Sequence, residues 1–259
     1  MVTRIDPEVL PPDPEFESQR GPAVAPAELT REALRKRFAR LGPPSPAAGP
    51  RASQDKPAWT VDQDNDGAFF RPGEPLRPAA VLIGLVGRPE GARLLFTRRA
   101  AHLTDHAGQI SFPGGRVEAS DAGAAGAALR EAQEEIGLDP GRVEVLGTLP
   151  PYRTISGYEV TPVVGWIDAA IELRADPLEV DEFFEVPAAF LMDGAHHQRR
   201  LVIQGQFRRT VYAMDVVGEA AGGARRYLIW GATAAMLRNF YRFLLAAPAE
   251  GAQPLQSPA

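Results

Sequence analysis

Apolar residues fall into two kinds of run along this chain, and the difference separates strands from helices. Ala79 to Val86 is apolar without a break, the pattern of a strand buried on both faces. Arg93 to Thr97 predicts a second strand, after a turn at Pro89-Glu90-Gly91. Val143 to Leu149 and Tyr158 to Ile167 predict two more. Leu178 to Phe184 is a short acidic piece leading to Pro187, and Ala188 to Met192 reads as a helical turn. Leu201 to Gln206 and Thr210 to Val217 suggest a late hairpin around Phe207-Arg208-Arg209. Helical spacing takes over from Leu228 to Leu245, where Leu228, Ala232, Ala235, Met236, Phe240, Phe243 and Leu244 supply a core face. Strands with helices on both sides predict an α/β fold, a mixed sheet sandwiched between helices.

The front of the chain breaks this pattern. Residues 1–78 hold 14 of the 25 prolines and carry one helical stretch, about Ala27 to Leu41, with Leu29, Leu34, Phe38 and Leu41 at helical spacing. The rest, including PPSPAAGPRAS and the acidic turn Asp62 to Asp66, reads as coil or linker, with Trp59 as a packing anchor. The expected division is a Pro-rich N-terminal extension with one helix over 1–75, a domain over 76–247 and a disordered tail over 248–259. The extension serves as a lashing over the domain or as a mobile arm.

Composition narrows the class. With 259 residues, 44% of them hydrophobic, the chain can bury a real core. It has no uncharged apolar run of about 18 residues, so no membrane helix is expected, and its first 20 residues lack the apolar stretch of a secretory signal. The absence of cysteine excludes disulfides and thiolate sites. It accords with a reducing cytosol, and the expected location is cytoplasmic. A formal charge of -5 gives no general attraction for nucleic acid. An anionic substrate would have to be met locally, by metal ions and a few placed arginines.

The candidate chemistry lies in Arg130-Glu131-Ala132-Gln133-Glu134-Glu135. On a helix, Glu131, Glu134 and Glu135 at i, i+3 and i+4 share one face. Such carboxylates repel unless a cation sits among them, and Mg²⁺ is commonly held by a few carboxylates together with substrate phosphates. Acidic helix faces are usually just solvated, but here the context is a loop, Phe112-Pro113-Gly114-Gly115, whose glycines let backbone approach a ligand. A helix start capped by Ser120 or Asp121 follows, then small residues from Ala122 to Ala128, then a stop at Gly137 and Pro140.

This segment resembles the Nudix box, G, five residues, E, seven residues, R-E-U-x-E-E-x-G-U, with U aliphatic. Arg130, Glu131, Glu134, Glu135, Gly137 and Leu138 match it, and Ala132 stands at the first U. Gly115 to Arg130 is one residue longer than the pattern, and Asp121 replaces its first Glu in the nearest register. The loop-to-helix salt bridge onto Arg130 then falls to Asp121 or Glu118. Upstream, Leu95, Thr97, Arg99, Ala100, Gly108, Phe112, Pro113, Gly114 and Gly115 are similar to the signature of the coenzyme A pyrophosphatase branch, L-L-T-x-R-[SA]-x3-R-x3-G-x3-F-P-G-G, with Phe96 in place of a Leu and Thr104 in place of an Arg.

The resemblance implies an αβα sandwich and a Mg²⁺- or Mn²⁺-dependent hydrolase that splits coenzyme A, or its thioesters, into 4′-phosphopantetheine and adenosine 3′,5′-bisphosphate. It implies Glu131 and Glu135 as metal ligands, Glu134 as a third ligand or the holder of a water, and a backbone carbonyl near Gly114 in the shell. Gly115, Arg130, Asp121 and Gly137 are the structural residues of the box. A general base from a later loop has three candidates, Glu179, Glu182 and Glu185, of which Glu182 is favoured; the bland reading makes all three surface charges. Arg99, on the signature, is the expected phosphate contact. Arg98, His106 and Tyr152 are further substrate-binding candidates, against the reading that they cap a strand, hold a loop and fill a core. His196-His197 reads as an exposed loop, and Trp166 and Trp230 as core. Some members pair subunits through such an extension, which admits a homodimer. Two other readings stay open. One is a pyrophosphohydrolase of NADH, ADP-ribose or another nucleotide. The other is a Nudix-fold binding module without turnover, against which all three glutamates are retained.

Overall fold

The computed structural model describes residues 7–40, 75–103, 106–204 and 207–246. Three short 3₁₀ turns, Pro7–Val9, Pro14–Gln19 and Pro26–Leu29, each begin on a proline, whose fixed φ and missing N–H suit the first position of a helical turn. Helix α1 (Arg31–Ala39) follows, capped by the Thr30 hydroxyl. The predicted stretch from Ala27 is thus a turn and a helix divided at Thr30; Leu41, Trp59, Asp62 to Asp66 and the tail from 248 lie outside the described residues.

Strands β1 (Arg77–Arg88), β2 (Gly91–Arg99), β3 (Ile110–Ser111) and β4 (Gly114–Arg116) lead into α2 (Gly123–Ile136). Then come β5 (Val143–Thr148), β6 (Tyr152–Arg153), β7 (Tyr158–Ile167), β8 (Val180–Pro187) and the single turn α3 (Ala188–Leu191). A final set, β9 (Gln198–Gln204), β10 (Phe207–Ala220) and β11 (Gly223–Trp230), ends in α4 (Ala232–Leu245). The main sheet runs β11-β10-β8-β2-β1-β7-β5, and the one parallel pair along that path is β1 with β7.

Central β1 explains its unbroken apolar run. Ala80, Leu82 and Val86 enter the core under α2, while Ala79, Ile83 and Leu85 enter the larger core under α4. The expected sandwich is therefore present, with α2 on one face and α4 on the other. The closing helix is shorter than expected: Leu228 to Trp230 belong to β11, and the helix begins only at Ala232. Gly231 separates them with φ +65, a left-handed conformation that glycine takes without strain.

The described part of the extension is packed into the domain. Phe16, Val24, Leu29, Leu34 and Phe38 are each no more than 5% exposed, and burying such side chains contributes about 1.5–3 kcal/mol apiece. Phe38 packs on β5, where a Cβ at Gly147 would come within 2.5 Å of its ring. Farther forward the chain forms single bridges at Pro12 to Arg200 and Ala23 to Asp193. Arg238 of α4 donates to the Arg20 carbonyl at 2.7 Å, and the Tyr241 hydroxyl to the Pro22 carbonyl at 2.6 Å.

His197, expected in an exposed loop, is fully buried beside this strap. Its Nδ1 accepts from Arg238 at 3.2 Å, so its Nε2 carries the hydrogen donated to the Leu191 carbonyl at 2.8 Å. Burial, and then the Arg238 charge, push its pKa down to about 4. The unfolded chain therefore takes up a proton that the folded one refuses between pH 6.5 and 4, and stability falls as pH drops through that window by about 3 kcal/mol. Urea midpoints measured from pH 7 to 4 should show this slope in the wild type and a flatter one in His197→Gln. Equal slopes would mean that the ring titrates alike in both states.

Candidate metal centre beside the glycine loop

The glycine loop is shaped by contacts that no side chain could share. A Cβ at Gly114 would lie 2.4 Å from the Ala80 carbonyl oxygen, and one at Gly115 would lie 2.4 Å from the Glu131 carboxylate. β4 is thereby pressed between β1 and α2. The helix begins later than either expected cap, Ser120 or Asp121, with Ala122 at the N-cap and no side-chain cap. Asp121 is occupied otherwise. Its Oδ2 accepts the Glu118 N–H at 2.8 Å, and its two oxygens take Arg130 Nε at 2.9 Å and Nη2 at 3.1 Å. The Arg130 guanidinium holds the Asp121 carboxyl below its ordinary pKa. Arg130 also donates to the Arg116 carbonyl at 3.0 Å and lies 3.0 Å from Glu131. Of the two partners expected for Arg130, the structure pairs it with Asp121. At the other end Gly137, φ +66, closes the helix with N–H bonds to the Ala132 and Gln133 carbonyls.

Three carboxylates converge here. One oxygen each from Glu131, Glu135 and Glu179 lies within 4.8 Å of the others. Glu134, expected as a further ligand, is outside this group. Its carboxylate is 56% exposed and ion-paired with Arg130 at 2.9 Å. Glu179 arrives on a loop laced to the end of α2. The Arg174 and Asp176 N–H groups donate to the Ile136 and Glu135 carbonyls at 2.9 Å each, and the Glu179 carbonyl accepts from Ala100 at 2.8 Å.

The remaining candidates separate by face. Glu182 pairs with Arg98 at 3.1 Å and Arg225 at 3.3 Å, on the side of Phe184 and Tyr227 that faces the α4 core. Neither Glu182 nor Arg98 is brought to the carboxylate cluster. Glu185 is bound to Arg88 at 2.5 Å. Arg99, next in sequence to Arg98 on β2, turns the opposite way, as successive strand residues do. Its charge acts on Glu135, and its buried Nε has no hydrogen-bond partner. His106 has φ +59 and bonds the Gln109 side chain at 2.8 Å, and His102 bonds the Leu178 carbonyl at 3.1 Å. Tyr152 packs against the larger core from β6. Thr104 lies outside the described residues.

The electrostatics suit a bound cation. Glu135 is 2% exposed, and burial above all, then Glu131 and Glu179, push its pKa up to about 8, while Arg99 and the Gly114 N–H act in the opposite sense. Gly114 thus acts on the cluster through its N–H. Burial also raises Glu131. Glu135 Oε2 is buried without a hydrogen-bond partner. A buried carboxylate oxygen left unsatisfied, with two further carboxylates alongside, is the donor set of a hard divalent ion.

A family model, the NUDIX domain, matches residues 75–204, a span that contains this centre. The chain belongs to the Nudix family. The Nudix hydrolase NudL of Escherichia coli K12, described as uncharacterized, is 43% identical over 164 residues, covering 63% of this chain and 80% of that protein. NudL of Shigella flexneri is 43% identical over 169 residues, or 64% and 83%. Among solved structures, a MutT/nudix family protein from Enterococcus faecalis aligns over 67% of this chain and 64% of its own, at 18% identity and a TM-score of 0.39. This Nudix chain is a pyrophosphohydrolase of a family that works with divalent metals, and no helix among its described residues is long and apolar enough to cross a membrane.

Proposed function

We propose that this Nudix hydrolase cleaves the pyrophosphate of coenzyme A or its thioesters. The observation that carries the chemistry is the convergence of Glu131, Glu135 and Glu179 beside Gly114 and Gly115. Support for the substrate comes from the sequence pattern Leu95 to Gly115, in which Arg99 places a partnerless guanidinium nitrogen beside the same cluster.

Glu131 and Glu135 would hold Mg²⁺ or Mn²⁺, which when bound neutralises pyrophosphate charge and acidifies water. Glu179, the exposed member of the three, takes the proton from the attacking water. Arg99 binds a phosphate oxygen through its fork. Water adds to one phosphorus as the bond from that phosphorus to the bridging oxygen breaks, and the electron pair stays on the departing phosphate. The products are 4′-phosphopantetheine and adenosine 3′,5′-bisphosphate. The proposal thus moves the base from Glu182 to Glu179, since Glu182 faces the other core.

Coenzyme A, an acyl-coenzyme A, NADH and ADP-ribose should be compared at equal Mg²⁺ and again with Mn²⁺, with products separated by chromatography. Coenzyme A or its thioester should give the highest kcat/KM. Coenzyme A as the poorest of the four would end the substrate assignment. No turnover of any would favour a binding module.

A further inference from the structure

Two arginines near the glycine loop have no acidic partner among the described residues, and their placement is set by strand register. Arg77, first in β1, stands opposite Tyr158, first in parallel β7. Arg116, last in β4, stands opposite Ala79, two residues on from Arg77. Directly paired residues, and residues two apart on a strand, share a face. The three side chains therefore gather on one face at the rim of the sheet.

Tyr158 holds both cations. The Arg77 guanidinium lies 4.0 Å from its ring centre and donates to the Ser156 carbonyl at 2.9 Å. The Arg116 guanidinium lies 5.8 Å from the same ring, and its Nε donates to the phenol oxygen at 3.1 Å. Tyr158 is itself packed against the larger core. The two guanidinium groups are under about 10 Å apart, no more than a Debye length at ordinary ionic strength, so they repel. Other arginines around the site are neutralised: Arg130 by Asp121, Arg98 by Glu182, Arg153 by Glu159. Arg77 and Arg116 meet no carboxylate among the described residues, and both are exposed. A ring that orients two guanidinium groups and leaves their outer N–H edges to solvent is a receptor for a dianion with several oxygens.

The site also lies close to the carboxylates. Arg116 directly follows Gly115, which touches the Glu131 carboxylate, and its carbonyl is tied to Arg130. The arginines occupy the opposite face of the sheet from Glu131, at strand ends, so a ligand reaches both by bending round the rim. A nucleotide with phosphates on both sides of one ribose has that form.

We infer that Arg77 and Arg116, oriented by Tyr158, bind a phosphate monoester on the substrate's nucleoside, the 3′-phosphate of its adenosine. This rests on the coenzyme A reading, and the test separates the two. With Mg²⁺ present, adenosine 3′,5′-bisphosphate and adenosine 5′-monophosphate are titrated calorimetrically into the wild type, Arg77→Gln, Arg116→Gln and the double variant. The wild type should prefer the bisphosphate by about tenfold or more. Each single variant should lose most of that preference, the double variant all of it, and Arg116→Lys should recover part. A wild type that binds both nucleotides equally, or a double variant that keeps the preference, overturns the inference, as does an equal loss of affinity for both. If the wild type discriminates yet leaves coenzyme A uncleaved, the substrate reading fails and the phosphate site stands.

Discussion

Glu135→Gln should fold normally and lose turnover on the order of a hundred-fold or more. Changing a residue that merely supports a metal ligand already costs about 10–100-fold, and this change removes a ligand charge. The buried shape is kept, so packing is not the cause. A second consequence has the opposite sign. Burial pushes the carboxyl to about 8 in the folded chain, against an ordinary value of 4.5. Between those values the folded state holds a proton that the unfolded state has released, so this group's contribution falls as pH rises from 4.5 to 8. In chelator at pH 7, the amide should therefore stabilise the protein, by roughly 3 kcal/mol at most. Normal turnover, or a lower melting temperature in chelator, would overturn the ligand assignment.

The second large effect is expected at Glu179. Glu179→Gln should lower kcat on the order of 10²-fold, the scale of a lost general base, and leave the Mn²⁺ concentration for half activity within about twofold. Glu182→Gln, which breaks pairs with Arg98 and Arg225 on the other face, should fall far less. A Mn²⁺ requirement that climbs steeply in Glu179→Gln would make that side chain a ligand. Equal losses at both positions would remove the distinction between the faces.

That distinction could not be read from sequence. PLEVDEFFEVP offers three glutamates in seven residues; the loop laced to the end of α2 brings Glu179 to the box helix, and the β2–β8 register sets Glu182 and Glu185 opposite Arg98 and Leu95. The helix itself was legible because its acidic spacing, glycine stop and preceding glycine loop agree with one another. So was β1, whose unbroken apolar run reflects two cores on its two faces. The end of β11 was missed because Leu228 to Trp230 continue the apolar pattern of α4 without a polar break; Gly231 was the available signal. Asp121 looks like a helix cap in sequence, yet the nearby Arg130 claims both its oxygens. The prolines of the first 40 residues suggested coil, and their fixed φ instead starts short turns that seat Phe16 and Leu29 in the core.

The strap carries a consequence for synthesis. Arg37 donates to the Leu244 and Ala246 carbonyls at the end of α4, and Phe38 rests on Phe243 with ring centres 4.8 Å apart. Those partners lie more than 200 positions downstream. At roughly 5–20 residues per second, a ribosome needs about ten to forty seconds to deliver them. During that interval Arg37 and Phe38 lack their partners on α4. A nascent chain stalled before codon 232 should therefore be a client for chaperones, and should mature only when α4 leaves the exit tunnel.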